Sequence, residues 1–240
     1  MTAPTALLAA DDISVRFGGL QALSNVSLTV EPHSTVGLIG PNGAGKTTLI
    51  NVLSGLAAPT SGRLLWKGEA VRKWRLGIAA RHGVARTFQA TRVFGGLSTR
   101  ENVLVAALNA KRDVDVESIL EIVELDHRQD VVASELPFGE ARRLGVALAL
   151  ATGPEVLLLD EPGAGLTGHD LTALGASIQR VCAEGVAVLL VDHNMRFVMG
   201  TADRVVVMES GTVIARGTPS EVQVDPLVLN AYLGRRTVGA

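Results

Sequence analysis

Cysteine is nearly absent from this chain: Cys182 is the only one in 240 residues, and it lies in an apolar stretch. One thiol supports neither a disulfide framework nor a thiolate metal site, so Cys182 reads as a small buried hydrophobe. An excess of charge of one sign is lacking as well, since 22 basic and 24 acidic residues leave a formal charge of −2 and are interspersed along the chain. Such a balance carries no electrostatic footprint for a duplex, and nucleic acid is not an expected partner. Long hydrophobic runs are also missing. Although 47% of the residues are hydrophobic, no window approaches the roughly 20 uninterrupted apolar residues of a bilayer span. The opening MTAPTALLAADD has no basic segment and turns acidic too soon for a secretory signal. The chain is therefore expected to stay in the cytosol and to meet a membrane only through a partner. Internal repeats, low-complexity tracts and long linkers are not found, and the length suits one α/β domain with a small insert.

What is present begins with strands. ISVRF (13–17), VSLTV (26–30) and TVGLIG (35–40) are rich in β-branched residues and flanked by turn formers, which predicts three short strands. KTTLINVLSGL (46–56) has apolar residues at helical spacing and stops at Gly55, and GRLLWKG after it resembles a hairpin strand. From about 90 to 133 the pattern turns helical, with Glu117, Glu121 and Glu124 on one wet face. EVLLLDEP (155–162) and GVAVLLVDH (185–193) are continuous apolar runs, as strands buried on both faces of a parallel sheet require. DRVVVMESGTVIARGTP (203–219) predicts a hairpin turning at Ser210 and Gly211.

Two motifs carry chemistry. GPNGAGKTT comprises Gly40, Pro41, Asn42, Gly43, Ala44, Gly45, Lys46, Thr47 and Thr48, and it sits between a predicted strand and a predicted helix. This is the context of a phosphate-binding loop. Its glycines let successive backbone N–H groups turn toward one centre, to which the new helix adds its positive end. Lys46 would reach the β- and γ-phosphates, and the Thr47 hydroxyl would ligate Mg²⁺. VLLLDEP supplies an acid at the carboxyl end of a buried strand, the edge at which α/β sheets bind ligands. Asp160 would hold Mg²⁺ through water, and Glu161 would polarise the water that attacks the γ-phosphate.

With these residues the chain resembles the ATP-binding subunits of ABC transporters. RTFQ ending at Gln89 resembles the family's Q-loop, LPFGEARRLGVALAL its signature helix, GAGLTGHD its D-loop, and LVDHN the strand end bearing its switch histidine, His193. The resemblance implies an α/β P-loop NTPase fold: a mostly parallel core sheet, an N-terminal antiparallel β part, and a helical subdomain at about 90–152 inserted in a RecA-like core, all within one domain spanning 1–240. It implies ATP and Mg²⁺ as ligands, Gln89 at the metal and in catalysis beside Glu161 and His193, and Phe17 stacked on adenine unless it faces the core. Two cassettes would close head to tail, so that Pro137, Gly139 and Glu140 of one meet the nucleotide held by the other. RFGGLQAL, GVARTFQATRVFGGLSTRENV, DHNMRFVMGTADRVVVM and AYLG look like the ATPase of branched-chain amino acid importers, the LivG type, a cassette type that also serves urea and short-amide importers. The implied partners are a second cassette, two membrane permeases at the cytoplasmic face and, indirectly, a solute-binding protein.

Departures from the family pattern bear on activity. Where the signature has a serine, this chain has Pro137, which lacks both hydroxyl and N–H although its φ suits a first helical turn. The lost bond to a charged γ-phosphate is worth about 1.5–3 kcal/mol, roughly ten- to a hundredfold in rate if made only in the transition state. A non-identical partner with an intact signature is therefore expected. The insert also looks short for this branch, and Thr167 stands where many relatives carry Asp or Asn. Two alternatives remain: a nucleotide-binding structural partner with little ATPase activity, and a soluble ABC ATPase of the DNA-repair or translation-factor kind, which would ordinarily carry a long coiled-coil insert or a second linked cassette.

Overall fold

The computed structural model describes residues 5–87, 93–108, 110 and 113–233. Gln89 lies outside them. The apolar runs at 156–160 and 187–191 become adjacent parallel strands, β7 (Val156–Asp160) and β8 (Ala187–Val191), in which every residue is buried. Along each, alternate side chains enter two different cores: Leu157, Leu159, Val188 and Leu190 one, Val156, Leu158, Ala187 and Leu189 the other. Helices and a second sheet must therefore cover both faces.

The six-stranded sheet runs β10 (Thr212–Gly217), β9 (Arg204–Glu209), β3 (Thr35–Ile39), β8, β7, β6 (Val84–Arg86). All its pairings are parallel except the β9–β10 hairpin, whose turn at Ser210 and Gly211 has φ of 47° and 80°. Positive φ at both central residues matches the right-handed twist of a two-residue hairpin. A second, antiparallel sheet has the order β2 (Leu20–Val30), β1 (Leu8–Phe17), β4 (Ser61–Trp66), β5 (Glu69–Ala70). It shares a core with α1 (Lys46–Leu53), which also packs on β7.

The first strand is longer than its sequence suggests. Leu8, Ala9 and Ala10 pair with Val30, Thr29 and Leu28 on one side and with Trp66, Leu65 and Leu64 on the other, ahead of an irregularity at Asp12, where φ is 51°. Alanine and aspartate have low strand propensity, and pairing on both sides overrides it. The first helix ends at Leu53 rather than near 56, capped by Ser54 before Gly55 at φ 76°. A short helix, α2 (Leu76–His82), and the three-residue β6 were too brief to leave a periodic signal.

Between β6 and β7 the regular elements among the described residues are all helical, apart from an isolated Ser98–Val132 bridge. Ser98 and Glu101 form a reciprocal capping box on α3 (Thr99–Ala107), and Asp115 caps α4 (Val116–Ile122). Asn102, 1% exposed, donates to the carbonyls of Phe94, Leu97 and Ser98 and accepts from Phe94 N, tying the approach segment to α3. The signature segment forms α5 (Phe138–Leu150), followed after β7 by α6 (Gly168–Ala183) and after β8 by α7 (Met195–Thr201). Pro137 is the residue flanking α5, with φ −53° and ψ 152°, not a member of its first turn. The extended ψ lets its carbonyl accept from Ala141 N at 2.9 Å, so the proline starts the helix from outside. The described chain ends in α8 (Pro219–Gln223) and α9 (Pro226–Leu233). Among the described residues no helix is long and apolar enough to cross a membrane.

Candidate nucleotide-binding site

Strand register brings the chemistry to one edge. Val191 lies beside Leu38 on one side and Asp160 on the other, so β3, β8 and β7 end level. The residues that follow each strand, Gly40, then Asp192 and His193, then Glu161, emerge together at the carboxyl end of the sheet.

The loop after β3 demands its glycines. Gly40 has φ 153°, and a Cβ there would collide with the Met208 carbonyl oxygen. Gly45, at φ 99°, would bring a Cβ to 2.7 Å from Leu23 Cδ2 and 2.9 Å from the Ala22 carbonyl. Gly43 has open space around it but φ 82°, so its need is conformational. Pro41 O accepts from Ala44 N at 3.1 Å, and Ala44 O accepts from Gly211 N at 3.0 Å, which anchors the loop to the β9–β10 turn. Asn42 and Thr47 are exposed and Thr48 is half-buried. Lys46 is buried, and its Nζ donates to Gly40 O at 2.7 Å and Pro41 O at 3.2 Å, so the ammonium lies within the loop it would share with phosphate. Burial pushes its pKa down, while the charges of Glu161, Asp160 and Asp192 act in the opposite direction.

Asp160 is 8% exposed and its Oδ2 accepts from Arg86 Nη2 at 2.8 Å. Glu161 has φ 48°, a left-handed conformation rare for a non-glycine residue, and its N–H is held by Val191 O at 2.7 Å. His193 Nδ1 stands 3.9 Å from Glu161 Oε2 and 3.7 Å from Asp192 Oδ1, distances at which a protonated imidazole would form ion pairs. Asp192 is fully buried; Oδ2 accepts from Gly163 N at 3.0 Å and Oδ1 from Asn194 N at 2.8 Å. It thereby fixes both the segment after Glu161 and the segment after His193. Sequence reasoning passed over Asp192, although it follows an apolar run as Asp160 does. It quoted Arg86 only as the first residue of RTFQ and gave it no role of its own.

Phe17 does not face the core. It is 57% exposed at the tip of the β1–β2 hairpin, paired with Leu20, which is itself 68% exposed. The start of α5 has no side-chain cap, which leaves first-turn N–H groups for an external acceptor. Its contacts run to residues 164–170: Arg142 stacks on the Phe138 ring at 4.9 Å and donates to Ala164 O at 3.4 Å, and a Cβ on Gly139 would collide with Asp170. Glu140 is engaged by Arg128 at 3.0 Å, so its carboxylate belongs to an ion pair and only its backbone N–H faces the helix end.

Comparison with known proteins decides the family. The ABC transporter family model matches residues 23–164. The chain belongs to the ABC transporter ATP-binding family. A second model, branched-chain amino acid ATP-binding cassette transporter, matches residues 212–237. The chain is 38% identical, over 95% of its length and 98% of the relative's, to the high-affinity branched-chain amino acid transport ATP-binding protein LivG of Escherichia coli K12. It is 39% identical, with the same coverage, to BraF of Pseudomonas aeruginosa, which bears the same description. A crystal structure of an ABC transporter ATP-binding cassette in its ADP conformation superposes with TM-score 0.85 at 28% identity, covering 95% of this chain and 99% of that one. The cassette is therefore an α/β P-loop ABC ATPase whose nucleotide is ATP, and its hydrolysis is coupled to transport. These relatives do not favour a merely structural partner or a soluble non-transport ATPase.

Proposed function

We propose that this cassette is the motor subunit of an importer for branched-chain amino acids or a related small polar solute such as urea or an amide. It would work at the cytoplasmic face of the membrane, bound to two permeases and a non-identical second cassette. We read the chain as one domain with a helical insertion at about 90–152. The observation that carries the reading is the common edge at which Lys46, Asp160, Glu161 and His193 emerge, in a chain matched over residues 212–237 by the branched-chain cassette model.

On this reading the backbone N–H groups of residues 40–48 and the start of α1 bind the ATP phosphates. Lys46 leaves the Gly40 and Pro41 carbonyls for the β- and γ-phosphates. The Thr47 hydroxyl and the Asp160 carboxylate are oxygen donors suited to Mg²⁺. When bound, Mg²⁺ supplies charge stabilisation of the phosphoryl group. Glu161 orients the attacking water and accepts its proton, while His193, within reach of Glu161, steadies the γ-phosphate side. Gln89 belongs to the same site by its place in the motif. Phe17, exposed at a hairpin tip, offers its ring to adenine. Pro137, Gly139 and the Glu140 N–H lie at the helix end offered to the partner's nucleotide. Co-purification from native membranes, with identification of the bound permeases and binding protein, tests the assignment. Recovery of permeases for an unrelated solute class would overturn the solute, and recovery with no permease would overturn the motor role.

A further inference from the structure

Arg86 is a side chain at this site with several described partners and no assigned role. Register sets it opposite Leu158, two residues before Asp160 on the neighbouring strand and hence on the same face of the sheet. In its guanidinium, Nη2 donates to Asp160 Oδ2 at 2.8 Å, and Nη1 donates to Asn51 Oδ1 at 2.7 Å and Ser54 Oγ at 3.1 Å. The pair is nearly dry, with side-chain exposures of 7% for Arg86 and 10% for Asp160. The Asp160 backbone is held from the same segment, because its N–H donates to Thr87 Oγ1 at 3.4 Å while Thr87 N donates to Leu158 O at 2.9 Å. Three pieces of chain meet in one planar fork: the helix that begins at the phosphate loop, the strand that ends in the cation-facing acid, and the strand that leads toward Gln89.

We infer that Arg86 is a positioning residue for Asp160: by occupying Oδ2 it fixes the rotamer of the carboxylate and keeps the other oxygen for the Mg²⁺ shell. A buried carboxylate requires a partner. Arginine meets that need with a fixed fork, which lysine, a point charge on a flexible stem, cannot reproduce. The side chain never touches the nucleotide; it acts through Asp160. Groups that orient a ligand of the metal in this way typically change metal affinity by about 10–100-fold when removed. The inference rests on Asp160 being the acid that faces Mg²⁺, and the experiment separates the two.

Binding of a fluorescent ATP analogue is measured by titration in EDTA and again across a Mg²⁺ series for wild type, Arg86→Met, Arg86→Lys and Asp160→Asn. Arg86→Met is expected to leave affinity in EDTA within about twofold while raising the half-saturating Mg²⁺ concentration by about tenfold or more, with Arg86→Lys recovering only part of the shift. If Arg86→Met fails to fold, Arg86→Lys carries the test alone, with a smaller shift of the same sign. Melting of the nucleotide-free protein provides a second readout, since Arg86→Met should lower Tm strongly in the wild-type background and far less in Asp160→Asn. An unshifted Mg²⁺ requirement, or equal weakening in EDTA and in Mg²⁺, overturns the role of Arg86. If Asp160→Asn itself leaves the Mg²⁺ requirement unchanged, the reading of Asp160 falls, and the inference with it.

Discussion

Lys46 hydrogen-bonds the carbonyls of its own loop, so its ammonium is already desolvated before any phosphate arrives. Binding exchanges two neutral acceptors for charged ones, which are roughly twice as strong. Lys46→Ala should therefore weaken ATP binding by about ten- to a hundredfold, the equivalent of about 1.5–3 kcal/mol for a bond to a charged group. Calorimetry on the isolated chain checks this, and equal affinity in both proteins would remove Lys46 from the site. Glu161 is different in kind: it follows the strand with a left-handed backbone, and its carboxylate lies beside His193. Glu161→Gln keeps the shape and loses the base. It should bind ATP with little change, hold a closed pair of cassettes, and hydrolyse about 10²–10⁴ times more slowly in the assembled transporter. Unimpaired turnover there would exclude Glu161 as the base. Both residues were legible in the sequence, because each lies in a run of consecutive residues whose spacing is itself the chemistry. Asp192 was not, since its importance lies in the N–H groups of Gly163 and Asn194 that it satisfies, and only folding brings Gly163 to it.

At the scale of elements, the informative contact is between the start of α5 and the first turn of α6. Gly139 is buried against Asp170, and Phe138 packs beside Gly165, where a Cβ would lie 3.1 Å from the ring. The signature helix is thus seated directly on the segment that follows Glu161. Gly139→Ala must push Asp170 aside, at a cost of about 1–3 kcal/mol by analogy with overpacked sites. Thermal denaturation of Gly139→Ala, Asp170→Ala and the double variant measures the coupling, which should reach at least about 0.5 kcal/mol for residues in contact. Simple additivity would mean that the two helices do not constrain each other here. The capping box of Ser98 with Glu101 was found only in the structure, whereas helix existence was readable from apolar periodicity, which is local in sequence. The brief β6 was not, and it is the strand that delivers Arg86.

At the scale of the whole molecule, the proposed head-to-tail pairing would complete the site with a second cassette. The Lys46, Asp160 and Glu161 edge is built by this chain, whereas the uncapped start of α5 is offered outward, flanked by exposed Pro137 and by Phe138, which is 56% exposed. On the proposed pairing, in which each signature serves the opposite nucleotide, the missing hydroxyl at Pro137 should slow the partner's site and leave this chain's own site intact. In a pairing with a partner that has an intact signature, Glu161→Gln here should remove most of the hydrolysis, and the equivalent change in the partner little. Pro137→Ser should then raise total turnover by activating the slow site, which is worth up to about ten- to a hundredfold at that site. Steady-state ATPase assays of the reconstituted transporter decide the matter. A fully active homodimer of this cassette would exclude the asymmetric arrangement, as would an unchanged rate for Pro137→Ser with ATP bound at both sites.

The phosphate loop, the acid pair after β7 and the two central strands follow from the sequence alone, because short contiguous patterns of glycine spacing and apolar runs determine them locally. The fate of the remaining residues depended on partners far along the chain. Leu8 to Ala10 joined a strand because β2 and β4 flank them, overriding weak propensity. Glu140 turned to Arg128, and Phe17 ended exposed at a hairpin tip instead of in the core. Arg86 found Asp160 across 74 residues, a pairing that no local period encodes, since a buried charge takes whichever partner the sheet register brings within reach.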